Sequence, residues 1–432
     1  MKLLYSFYHS GASMKICILG AGITGVTTAY QLARRGHDVT VLERQPEAAK
    51  ECSFANGGQL SYSHAEPWAN PNVFPKLLRW VWQDDAPLVF RLRADPHLIR
   101  WGILFLMNCL PARARNHSEA LLRLGLYSKA KMDELIKETG LEFDFLDRGI
   151  LHVFSSQKDF DHAKRQAEFQ SNLGCNEQVM SLEEAIRKEP ALAHASKKLY
   201  GAVFSPLDAS GDIHIFTQKL AALCATKFSV KFKYDLAIRH LHKAGGKISH
   251  IETSQGYLSE FDAYVMSLGA YSPIHLRQIG LYVPIYPMKG YSITFPANGF
   301  TPTISITDEE KKVVYSRLGN RIRAAGTAEF AGYNHDIRKV RVDAIIRGAA
   351  ALFPKADLSN PEQWACLRPS TPDGPPMVGA TPISNLFMNT GHGTLGWTQA
   401  AGSARLLADV IDKIPTEIPL TGLEISRNLI RI

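Results

Sequence analysis

Three glycines stand in the run Gly20-Ala21-Gly22-Ile23-Thr24-Gly25, and a carboxylate, Glu43, follows about twenty residues later. That spacing suits a dinucleotide. Gly20 permits a tight turn, Gly22 lets the backbone approach a pyrophosphate, and Gly25 lets a helix pack closely on a strand. Glu43 is placed to accept both hydroxyls of a ribose without a 2′-phosphate. A second glycine-rich run, Thr390-Gly391-His392-Gly393-Thr394-Leu395-Gly396-Trp397, offers backbone N–H groups to a developing negative charge. Upstream of it, Arg368 is followed by Pro369 and Pro372, which stiffen the backbone around a guanidinium able to grip a carboxylate with two parallel hydrogen bonds.

The surrounding sequence supplies elements to hold these residues. An apolar run from Ile16 to Leu19, a helical stretch ending at Gly36 and a second strand, Val39 to Leu42, form a βαβ unit whose helix N-terminus faces the phosphates. The unit alone does not separate NAD from FAD. Arg44 and the polar stretch Ser53 to Gln59, with Asn56, Gly57 and Gln59, suit a cofactor that extends past the sheet. A short strand, Leu386 to Asn389, and a helix, Thr398 to Ile411, bracket the second glycine run.

At 432 residues, 45% hydrophobic and 21% charged, the chain is long enough for two cores. The six cysteines lie far apart with no metal-ligand spacing, so no metal site is expected, and they are read as reduced, intracellular thiols. A net charge of +8 is spread along the chain, with no arginine-rich arm and no RNA module, and no nucleic-acid partner is expected. The longest apolar run, within Trp101 to Leu110, is roughly half the length needed to cross a bilayer. Residues 1–13 are taken as an extension ahead of the first strand.

The segments ILGAGITGV, VLER, FANGGQLSYSHAEPWA, YPMKGYS, LRPSTPDGPPMVG and NTGHGTLGWT together resemble the D-amino-acid oxidase group of flavoproteins, most closely its bacterial D-amino-acid dehydrogenase small-subunit family. The resemblance covers residues 15–432. It implies an α/β fold in which a Rossmann-like FAD-binding domain (residues 14–65, 201–283 and 363–432) is interleaved with an antiparallel-sheet substrate domain (66–200 and 284–362). It implies non-covalent FAD, with Gly269 on a strand passing the cofactor. Arg368 is then the carboxylate ligand, Tyr286, Tyr291 and His392 are candidates at the reacting centre, and Lys289 lies in a P-x-K-G turn beside the flavin.

Cys366 stands seven residues before Asp373, where related monomeric sarcosine oxidases carry a flavin-bonded cysteine. The dehydrogenases usually have none there, and a free thiol is expected. The implied reaction takes a D-amino acid to a 2-oxo acid and ammonia and passes electrons to a quinone, with the protein cytoplasmic and peripheral on the inner membrane. Residues 76–115, which mix Trp80, Trp82 and Trp101 with Arg79, Arg91, Arg93, Arg100, Arg113 and Arg115, offer a route to lipid. The alternatives are an oxygen-using glycine or sarcosine oxidase and, in a different class, an RNA-modifying flavoprotein.

Overall fold

The structure, a computed structural model, describes residues 12–63, 66–71, 73, 86–91, 94–171 and 174–431. The expected extension, apart from its last residues, lies outside them, as do Arg79, Trp80, Trp82 and Arg93. Strand β1 (Lys15–Leu19) alternates its side chains between two cores. Ile16 and Ile18 join Val26, Leu32 and Leu406 on one side, while Cys17 and Leu19 join Tyr264, Ile251 and Leu276 on the other. A fully buried parallel strand needs apolar residues at every position, and this one has them after Lys15.

β1 is central in a six-stranded sheet whose order is Met377–Ala380, Leu386–Thr390, Ala263–Met266, β1, β2 (Asp38–Leu42) and Lys231–Lys233. All pairs are parallel except the first. Helix α1 (Ile23–Ala33) packs with helices Ile213–Phe228 and Gly396–Ile411 on one face. The three-stranded sheet from Ile238 to Leu258 closes the other.

A nine-stranded, mainly antiparallel sheet forms the second body, led by the long antiparallel partners Tyr286–Pro296 and Arg321–Phe330 with Glu362–Ser370 at its edge. Helix Lys339–Leu352 covers one face through Val342, Ile345 and Leu352. The α/β class and the interleaving of the two bodies are as expected. The boundaries differ by a few residues. Gly201–Ser205 and Glu362–Ser370 both pair within the large sheet, so the chain changes body after Ser205 and after Ser370, not at 201 and 363. Lys289 likewise lies inside the strand Tyr286–Pro296 and not in a turn.

Candidate active site

A large cavity opens at the carboxyl ends of the parallel strands, where open α/β sheets place their ligands. Gly20, Leu42, Glu43, Ser267 and Thr390 line it, and it holds about 1380 Å³ of atom-free space counting its open mouth. Gly20 turns with φ 103°, and a β-carbon there would meet Ser267 O at 2.8 Å. A β-carbon on Gly25 would stand 1.9 Å from Gly20 O, which is the close helix-to-strand approach that the spacing predicted. Gly22 begins α1 with no side-chain cap and no acid in the first turn, leaving amide hydrogens for an anion. Ser53 reaches in, its Oγ accepting from Ile23 N at 3.0 Å.

Glu43 braces the loop. Its carboxylate accepts from Ala21 N at 2.8 Å and from Gln45 N at 2.9 Å; burial pushes the carboxyl up and the two amides pull it back. Arg44 is held against Glu51 and lies 4.0 Å above the Tyr271 ring.

The second glycine run enters the same cavity. Strand Leu386–Thr390 gives way to Gly391, at φ 84°, where a β-carbon would strike Thr371 at 2.9 Å. Gly393 takes φ 53°, and a β-carbon there would have no atom within 4 Å, so its backbone faces open space. Helix Gly396–Ile411 then starts without a side-chain cap. Two uncapped helix starts therefore converge on one cavity. Ser267 Oγ and Trp397 Nε1, on residues of its wall, have no hydrogen-bond partner among the described residues.

His392 is buried, with Nε2 3.1 Å from Ser403 Oγ, and burial pushes its pKa down to about 3. It is neutral at physiological pH. The unfolded chain takes up a proton near 6.5 that the folded chain refuses until about 3, so this group removes stability as pH falls through that window. His392→Gln is expected to flatten the acid side of the stability profile, measured as urea midpoints against pH. An unchanged acid dependence would mean that the native imidazole charges readily.

Arg368 stands in the cavity wall on strand Glu362–Ser370. Its guanidinium lies flat over Gly290, where a β-carbon would come within 2.3 Å of Cζ. It has no acidic partner among the described residues. The tyrosines are engaged elsewhere: Tyr286 donates to Asp95 at 2.6 Å and Tyr291 to Glu329 at 2.5 Å, and neither lines the cavity. Lys289 is buried and bonded to Asn334, Asp336 O and Glu329.

Of the polar stretch, Asn56 reaches the cavity, but the other two turn to the large sheet. Gly57 allows contact with Val314, and Gln59 donates to Ser305 and Thr307. Gly269, Gly393, Thr394 and Gly396 line the main cavity, whereas Leu395 faces a smaller one beside it with Glu66, Trp68 and Met288. Ser53, Tyr271 and Gly290 were not singled out in the sequence. Ser53, inside the polar stretch, and Gly290, the glycine of the P-x-K-G segment, carried a signal there, and Tyr271 carried none.

The profile of the DAO family, described as FAD dependent oxidoreductase, matches residues 15–410. The chain belongs to this FAD-dependent oxidoreductase family. It is 47% identical over 418 residues to a D-amino acid dehydrogenase of Paramagnetospirillum magneticum, covering 96% of this chain and 99% of the relative. It is 45% identical over 406 residues to one of Dechloromonas aromatica, covering 92% and 97%. Its fold is similar to that of glycine oxidase from Geobacillus kaustophilus, with a TM-score of 0.76 at 20% identity over 96% of this chain and 100% of the other.

The residues present fit FAD. Gly20, Gly22 and the free amides of α1 suit the pyrophosphate, Glu43 the adenosine ribose, and the open backbone at Gly393 with the start of helix Gly396–Ile411 an electron-rich edge of the flavin. Gly25→Ala tests the first of these. Its new methyl meets a backbone oxygen that has nowhere to move, an overpacking that costs about 1–3 kcal/mol, and the purified variant is expected to carry a clearly lower flavin-to-protein ratio. A full flavin load would show that the loop relaxes without cost.

Proposed function

We propose that this chain is an FAD-dependent D-amino-acid dehydrogenase. The observation that carries this is Arg368, a guanidinium without an acidic partner among the described residues, held in the wall of the FAD cavity, in a chain nearly half identical along its length to D-amino acid dehydrogenases. FAD bound there supplies a two-electron acceptor for hydride from the substrate α-carbon. The protein's own work is positioning. Arg368 receives the substrate carboxylate, and Gly290 keeps the plane of its guanidinium fixed. His392 stays neutral and, through Ser403, shapes the second glycine turn without adding charge. The oxidised product, an imine, is released to water and hydrolyses to a 2-oxo acid and ammonia. An anaerobic titration with D-amino, L-amino and N-methyl acids, following flavin absorbance, tests this: D-amino acids should bleach it fastest. Preferential bleaching by glycine or sarcosine with rapid peroxide formation would favour the oxygen-using alternative, for which the fold likeness to glycine oxidase is the only support.

The acceptor proposed is a membrane quinone, reached from a peripheral position. Helix Pro96–Asn108 and the turn after it expose Ile99 (58%), Ile103 (55%), Leu106, Met107 and Leu110 (56%), beside the exposed Arg100, Arg113 and Arg115. Apolar side chains next to arginines suit an anionic lipid surface. Two expectations are corrected here. Trp101 turns inward, donating to Ser370 O at 2.9 Å, and Arg91 pairs with Glu329, so neither is offered to lipid. No helix among the described residues is long and apolar enough to cross a membrane. Sedimentation with anionic liposomes at low salt, and faster reduction of a soluble quinone analogue than of oxygen, are the expected results.

A further inference from the structure

Cys52 and Cys366 both stand in the wall of the FAD cavity, and the remaining four cysteines are buried outside it. The two belong to different parts of the fold. Cys52 lies in the turn that follows β2, and Cys366 on the edge strand Glu362–Ser370, opposite Gly290. The Cys52 thiol donates to Leu367 O at 2.9 Å, which brings it beside Cys366. No role described above for the glycine loops, Glu43 or Arg368 uses either sulfur.

Their surroundings make them unlike. The neighbouring Cys52 side chain holds the Cys366 thiol below the usual range against burial, and the Arg368 guanidinium acts in the same direction. Cys52 is held well above that range, first by the neighbouring Cys366 side chain and then by burial. A thiolate is the nucleophile in sulfur chemistry, so Cys366 is the attacking member and Cys52 the resolving one.

We propose that Cys52 and Cys366 are a reversible dithiol/disulfide modification site in the FAD cavity, oxidised by hydrogen peroxide. Peroxide is the two-electron product of dioxygen at a reduced flavin, so leakage of electrons to oxygen makes the oxidant inside the cavity that these thiols line. The Cys366 thiolate attacks one peroxide oxygen; an S–O bond forms, the O–O bond breaks, and the departing hydroxide takes a proton and leaves as water. The Cys52 sulfur then attacks the sulfenic sulfur, the S–S bond forms, the S–O bond breaks, and a second water leaves with the Cys52 proton. Two thiols lose two electrons and two hydrogens, and one peroxide becomes two waters. An S–S bond of about 2.05 Å draws the turn after β2 onto the strand that carries Arg368. Turnover is lost until a thiol reductant reopens the pair. This inference rests on the FAD cavity and not on the choice of amino-acid substrate.

The test is peroxide treatment of the purified holoenzyme, followed by non-reducing peptide mapping and activity before and after dithiothreitol. The expected result is loss of two of the six free thiols, one cross-linked peptide pair containing Cys52 and Cys366, and activity that falls and returns together with the cross-link. In Cys52→Ser, oxygen should instead accumulate on Cys366 as sulfenic and sulfinic acid, with no cross-link and no full recovery. Retention of all six thiols, a cross-link between other cysteines, or a cross-link that leaves turnover untouched would overturn the proposal. So would flavin that stays with the acid-precipitated polypeptide through Cys366.

Discussion

Arg368→Ala is expected to reduce kcat/KM for amino acids about thirtyfold to several thousandfold while FAD stays bound. The range follows from leaving a desolvated carboxylate without its charge partner, which costs about 2–5 kcal/mol. Retention of FAD is expected because the arginine touches neither glycine loop: it lies over Gly290, on a strand of the other sheet. Arg368→Lys should recover only part of the loss, since an ammonium lacks the planar fork that lies flat on Gly290. The measurement is steady-state kinetics beside the flavin-to-protein ratio. Near-normal kcat/KM in Arg368→Ala would hand the carboxylate to another arginine. Arg323 is poorly placed for that, being buried and bonded to Thr294 and the Asn56 carbonyl.

Glu329→Ala is expected to cost about 3–5 kcal/mol of stability, because it leaves the buried Lys289 charge without its counter-charge. Glu329 is 1% exposed and joins four groups: the Tyr291 hydroxyl, Arg91, Arg338 and the equally buried Lys289. Lys289 would keep Asn334 and the Asp336 carbonyl but lose its only anion among the described residues. The change should appear as a lower urea midpoint at an unchanged slope, the sign of altered stability without altered compactness. A midpoint equal to that of the wild type would mean that water or a rotated side chain replaces the carboxylate, and that the cluster is not dry.

The same cluster shows where reading the sequence stops. The dinucleotide loop was legible because its parts are local: three glycines, a helix start and an acid within one βαβ unit, each answering a steric or electrostatic demand that spacing alone expresses. That Arg368 stands in the cavity wall was legible for a similar reason, with Pro369 and Pro372 advertising a rigid backbone. Tyr286 and Tyr291 were not, since their hydroxyls are claimed by Asp95 and Glu329, 191 and 38 residues away. Gln59 and Gly57 share a run with Asn56, yet the pleat of the facing sheet sends them to Ser305 and Val314. In helix Pro96–Asn108 the composition is apolar with one arginine, Arg100, but which apolar residues stay outside depends on what packs against it. Trp101 and Phe105 stack together, with Trp101 against Phe330, while Ile99 and Ile103 stay exposed.

The six-stranded sheet is assembled from chain segments that emerge far apart during synthesis. β1 pairs with Ala263–Met266, that strand with Leu386–Thr390, and the Thr27 hydroxyl of α1 bonds Ala400 O, 373 residues on. Pairings of such long separation form late, because loop closure is unfavourable until both partners exist. The glycine loop Gly20–Gly25 is made first, yet Ser267, which limits the space at Gly20, and the Gly391–Gly396 turn are made much later. Capture of the cofactor therefore waits for segments made long after the first loop, and a chain that still lacks them presents the buried faces of β1 and α1 without the strands that cover them, a state for chaperones to guard.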